Sequence, residues 1–152
     1  MKEILVLGIG NKLMMDDGIG AYVVETLSGR NVHTDISFRV GETDVYYCLQ
    51  QIEEASFLIV LDAAYLNKPP GTISIFPLEQ IFGHPRHSLS LHDFHLFSEI
   101  SMKDTSVEGL FIGIEPYEIN YFYGLSGFLQ EQYLNIVEKI EEVIFQYLIK
   151  NT

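Results

Sequence analysis

Three features of the chain predict an open α/β sheet with helices on both faces. Apolar, strand-like runs at residues 2–7, 32–40 and 56–63 alternate with helical patterns. The first and third of these runs are almost continuously apolar, as in strands buried on both faces. A glycine-rich loop, Gly8 to Gly20, joins the first run to the first helix, where sheets of this class open their ligand crevice.

After the loop, Ile19, Tyr22, Val23 and Leu27 recur at helical spacing, and Gly29 is a plausible stop. Residues 32–40 alternate apolar and polar side chains, which places that strand nearer the sheet edge. Thr43 is positioned to cap a helix with Val45, Cys48, Leu49 and Ile52 on its apolar stripe. Residues 56–63 form the central strand and carry Asp62 near their end. Residues 67–71, Asn-Lys-Pro-Pro-Gly, have turn chemistry and lead to a short strand at 72–76. The connection is too short for a helical crossover, so this strand runs antiparallel to its predecessor. Residues 78–82 fit one helical turn.

Four of the five histidines, His84, His87, His92 and His95, fall between residues 83 and 95. Ser90 followed by Asp93 resembles a capping box, so a helix is expected from just before His92 to about Met102. Residues 109–114 are a further strand, left through Glu115 and Pro116. Residues 117–127 are aromatic and loop-like, and core packing is the first expectation for Tyr121, Phe122 and Tyr123. Contact with a partner and cover over the cleft are the other two. A closing helix carries Leu134, Val137, Ile140, Ile144 and Leu148 on one face.

The length of 152 residues suits one domain, here taken as residues 1–152, with room for a real core. A formal charge of −12 and nine scattered basic residues argue against nucleic acid as a partner. Cys48 is the single cysteine, which excludes an internal disulfide, and its place on an apolar stripe marks a buried, inert thiol. No signal-peptide pattern opens the chain and no apolar run is long enough to span a bilayer, so a cytoplasmic protein is expected.

If the strand order near the start is 2-1-3, the first and third strands flank the switch point. That order brings the Asp16/Asp17 loop beside Asp62. A dinucleotide fingerprint fails because Leu13 stands where its third glycine belongs, and a phosphate-cradling loop lacks its Gly-Lys-Ser/Thr ending. One aspartate suffices to cap a helix, which leaves the second unexplained. Asp62 is either a strand exit that reaches water or a crevice residue. His92 stands on ordered backbone at a helix start. Two aspartates and a histidine from three loops make a borderline donor set with room for an outside ligand. Ser126 lacks the strand-to-turn setting of a nucleophile elbow, so an activated water is the remaining route for hydrolysis.

Four stretches in register resemble the hydrogenase maturation endopeptidases: Gly8-Ile-Gly-Asn11 with Leu13 and Asp16-Asp17-Gly18; Leu61-Asp62-Ala63; Ser90-Leu-His92; and Gly113-Ile-Glu-Pro116. The resemblance implies a three-layer α/β/α sandwich on a five-stranded, mostly parallel mixed sheet with one antiparallel strand. It implies a peptidase, aspartic-type by family naming, that removes the C-terminal extension of a nickel–iron hydrogenase large-subunit precursor. Asp17, Asp62 and His92 would form the catalytic and metal-contacting set, meeting nickel carried by the substrate, with no cofactor permanently bound. Asp16 is a further catalytic candidate or a support for the loop or helix cap, and Glu115 stands behind the site. Many members carry Asp-Gly-Gly-Thr where this chain reads Arg39-Val-Gly-Glu-Thr-Asp44, a departure that puts Glu42 and Asp44 near the presumed cleft. The expected protein is a monomer or weak oligomer without membrane insertion. The alternative is a non-catalytic α/β module that binds a hydrogenase precursor or a metal.

Overall fold

The computed structural model describes residues 4–31, 34–82, 91–101 and 107–151; for residues 82, 91–94, 101 and 151 it describes backbone alone. Five strands, β1 (Ile4–Ile9), β2 (Ile36–Glu42), β3 (Phe57–Ala63), β4 (Ile73–Pro77) and β5 (Glu108–Ile114), form one sheet in the order β2-β1-β3-β5-β4. The pairs β1–β2, β1–β3 and β3–β5 are parallel, and β4–β5 is antiparallel. The order 2-1-3 is therefore present, and the alternating run is an edge strand as its pattern required. The strand after the short turn runs antiparallel to its predecessor, as its connection required, and β5 lies between β3 and β4, so the turn steps across a strand position that is filled later in the chain.

Helices α1 (Ile19–Arg30) and α5 (Gly127–Asn151) cover one face, and α2 (Val45–Glu53), α3 (Leu78–Phe82) and α4 (Leu91–Ser101) cover the other. Strand alternation divides the core accordingly. Val6, Ile59, Leu61, Ile112 and Ile114 pack with Ile19, Val23, Leu129 and Ile140. Leu5, Leu7, Ile9, Leu58, Val60 and Phe111 pack with Cys48, Ile52, Leu96 and Phe97 on the opposite side. The result is the three-layer sandwich, and Cys48 is a buried thiol in no disulfide.

Local expectations shift in four places. Helix α1 passes through Gly29 and ends at Arg30, where Asn31 takes the left-handed conformation of a terminator. Asp44 rather than Thr43 caps α2, its carboxylate accepting from Tyr47 N at 3.0 Å. Leu134 is 66% exposed, and Leu129 and Ile136 join Val137, Ile140 and Ile144 in the core instead. Tyr121, Phe122 and Tyr123 are 87%, 65% and 67% exposed, so they do not pack in the core. Among the described residues no helix is long and apolar enough to cross a membrane.

Candidate active site

Chain direction reverses across the sheet between β1 and β3. From β1 the chain goes outward through α1 to β2, then returns through α2 to β3 on the other side. The crevice of such a sheet opens at the carboxyl ends of these two strands, where Gly10 follows β1 and Asp62 stands next to last in β3.

Gly10 is the point at which the carboxylate loop meets β3. Its φ is +122°, and a Cβ there would fall 1.9 Å from the carbonyl oxygen of Asp17 and 3.3 Å from Asp62 Oδ1. Only glycine fits between them. Its N–H donates to Glu42 O at 2.8 Å, tying the loop to the end of β2. Asn11 then closes the turn from both directions. Its Oδ1 accepts from Leu13 N at 2.9 Å, and its own N–H donates to Asp17 Oδ2 at 2.8 Å. Met15, at φ +51°, opens a single 3-10 turn (Met15–Gly18) that carries both aspartates.

The two aspartates have separate tasks. Asp16 is fully buried and its carboxylate receives four hydrogen bonds. Tyr117 N and Glu118 N donate to Oδ2 at 2.9 Å, Ser126 N donates to Oδ1 at 2.8 Å, and Ser126 Oγ donates to Oδ2 at 2.8 Å. It does not cap α1, whose N-cap is Gly18 with no side-chain bond. Asp16 supports the loop that follows β5, its carboxylate engaged by donors from both ends of that loop. Asp17 is partly exposed, turned by Asn11 and backed by Gly10.

Asp62 is completely buried, with Oδ1 accepting from Ala63 N at 2.8 Å. The reading as a strand exit that reaches water is thereby removed. The structure thus brings the backbone of the Asp17 loop and the Asp62 carboxylate together where a Cβ of Gly10 would stand. The backbone of His92 is the second residue of α4, while its side chain, with His84, His87 and Ser90, lies outside the described residues. His95 is exposed, its Nε2 4.0 Å from Glu99 Oε1 along the helix. Among the described residues no three His, Cys, Asp or Glu side chains are grouped to hold a metal ion.

Glu115 is a buried anchor. Leu66 N donates to both of its carboxylate oxygens at 2.8 Å and Lys68 N donates to Oε1 at 2.8 Å, which fixes the loop after β3. That loop presents Tyr65, whose phenol is pushed up by burial and by the negative charges of Asp16, Glu115, Asp17 and Glu118. Sequence reasoning missed Tyr65 altogether. It weighed Ser126 only as a nucleophile, although a serine just before a helical pattern is a capping signal. Leu129 N donates to Ser126 Oγ at 3.2 Å, which makes Ser126 the cap of α5 as well as a partner of Asp16.

A protein-family model described as hydrogenase maturation protease matches residues 21–144, most of the chain. The chain belongs to the hydrogenase maturation protease family. The matched span contains Asp62, His92 and Glu115 and begins just after the Asp16/Asp17 loop. The hydrogenase expression/formation protein HupD of Thiocapsa roseopersicina is 31% identical over 156 residues, covering 96% of this chain and 67% of HupD. HoxM of Azotobacter vinelandii is 34% identical over 128 residues, covering 80% of this chain and 62% of HoxM. The chain therefore spans about two thirds of the length of these relatives. Among solved structures, the hydrogenase maturating endopeptidase HybD from E. coli superposes with a TM-score of 0.81 at 24% identity, covering 97% of this chain and 94% of HybD. The solution structure of an endopeptidase from Escherichia coli gives 0.78 at 26% identity over 92% of this chain and 90% of that one. The mixed five-stranded sheet of this chain is thus the fold of HybD.

Proposed function

We propose that this chain is the endopeptidase that removes the C-terminal extension of a nickel–iron hydrogenase large-subunit precursor, acting once nickel is in place. Membership of the maturation protease family supports the peptidase class. The observation that supports the reading at these residues is the packing of the Asp17 backbone carbonyl and of Asp62 Oδ1 around the missing Cβ of Gly10, at the switch point of the sheet.

In this reading nickel is part of the substrate. Asp17, the partly exposed carboxylate, is the one an incoming metal centre meets, and Asp62 and His92 complete the contact set. Two oxygens and one nitrogen form a borderline donor set that suits a nickel ion still held by its own protein. The cut itself is a hydrolysis. Water adds to the scissile carbonyl, its proton passes to a carboxylate of the pair, and the leaving amine takes a proton as the C–N bond breaks. The aspartic character of the peptidase rests on this pair. The protein keeps no resident cofactor in this scheme and works in the cytoplasm, as its one buried cysteine suits.

Incubation with nickel-loaded precursors, read by the C-terminal mass of the large subunit, tests the proposal. Loss of the extension from loaded precursor, with nickel-free precursor left intact, is the expected result. Efficient cutting of nickel-free precursor would remove nickel recognition, and absence of any cutting would leave a binding module.

A further inference from the structure

The loop between β5 and α5 carries more aromatic surface than a connection needs. Tyr117, Tyr121, Phe122 and Tyr123 all expose their rings, and Leu13 and Tyr65 are exposed on the two neighbouring loops. An aromatic side chain presents about 150–250 Å². Together they offer several hundred Å² of apolar surface, the scale at which a patch marks an interaction site. Resting on the peptidase reading above, we propose that this aromatic ridge is the docking surface for the folded body of the precursor.

Continuity with the site selects that occupant. Met15 N donates to Phe122 O at 3.0 Å, Phe122 N to Leu13 O at 3.1 Å, and Asp16 N to Glu118 O at 3.2 Å. Residues 14 and 122 also form a parallel bridge. Ridge and carboxylate loop are one body, so a protein seated on the rings is placed relative to Asp17. Charge argues against a second copy of this chain. Each copy carries −12, and the ridge itself exposes Glu118, whose backbone is bonded to Asp16. Such like-charge juxtaposition is unfavourable. An apolar strip bordered by Lys or Arg on the precursor fits instead, with rings as anchors and carboxylates as selectors.

The test is a processing assay on nickel-loaded precursor with the double variant Tyr121→Ser/Phe122→Ser. Its kcat/KM is expected to fall at least ten-fold, with the loss carried by KM and the unfolding midpoint kept. Leu134→Ser, equally exposed but on α5, should match wild type. If the double variant fails to fold, Tyr121→Ser alone, at the most exposed of these rings, should show a smaller loss of the same kind. Unchanged kcat/KM beside an active wild type overturns the dock and leaves the peptidase reading standing. A wild type that cuts no loaded precursor overturns that reading, and the dock with it. A wild-type dimer that the ridge variant dissociates assigns the surface to self-association, which also overturns the dock.

Discussion

Ser126 donates to Asp16 twice across 110 residues of sequence, from its backbone N and from its Oγ, each at 2.8 Å. With Tyr117 N and Glu118 N, the buried carboxylate organises both ends of the aromatic loop. An amide in its place keeps one acceptor oxygen and sets an NH2 group against donors. Asp16→Asn is therefore expected to cost about 2–4 kcal/mol. In a chain of this size that lowers the unfolding midpoint by roughly 5–15 °C. Thermal unfolding followed by circular dichroism measures it, and an unchanged midpoint would mean the four bonds contribute nothing net.

Asp17 should behave in the opposite way. It is partly exposed, and its bond from Asn11 N can be accepted by an amide oxygen. Asp17→Asn is expected to fold normally and to lose precursor processing by about 100-fold or more, the range of a group engaged with the reacting centre. Asp62→Asn keeps an acceptor for Ala63 N and should be similarly inactive. His92→Ala completes the set. Normal processing by two of the three variants would remove the site assignment.

Most of the architecture was legible because it follows from periodicity. Continuous apolar runs gave β1 and β3, alternation gave the edge strand β2, and turn chemistry marked the short reversal before β4. Sequence distance hid the rest. Nothing near Asp16 reveals that its partners lie beyond residue 116. The sequence offered loop or helix-cap support for it without showing that its carboxylate is a buried acceptor for the loop after β5, while its neighbour Asp17 stays partly exposed. Tyr121, Phe122 and Tyr123 were placed in the core on residue type, yet the bonds of this segment to residues 13–16 hold it at the surface. Tyr65 has no motif at all. Its relation to the site exists only because Glu115 fixes the loop that presents it.

Two glycines give a matched pair of outcomes. At Gly10 an added Cβ meets the Asp17 carbonyl at 1.9 Å and the backbone is left-handed, so Gly10→Ala must displace the carboxylate loop. A loss of roughly 3 kcal/mol is expected, together with loss of processing. Gly29 lies inside α1 with nothing within 4 Å of its would-be Cβ. Gly29→Ala should instead raise stability by about 0.5–1 kcal/mol. Denaturant unfolding of the two variants checks both signs. A destabilised Gly29→Ala would contradict the open space at that position.

Alkaline pH should weaken the fold through its tyrosines. Tyr22, Tyr65, Tyr133 and Tyr147 are all pushed up, each principally by burial. The unfolded phenol titrates near 10, so just above that value the folded chain holds protons that the unfolded chain has released. Stability is then fully present below about pH 10 and declines as pH rises through the folded values. Tyr65 adds a local test, because Asp16, Glu115, Asp17 and Glu118 raise it further. Asp17→Asn deletes one of those charges and should lower the phenol's titration. The difference in tyrosinate absorbance between each protein and its Tyr65→Phe counterpart isolates this one group. An identical Tyr65 titration with and without the Asp17 charge would separate the tyrosine from the site electrostatically.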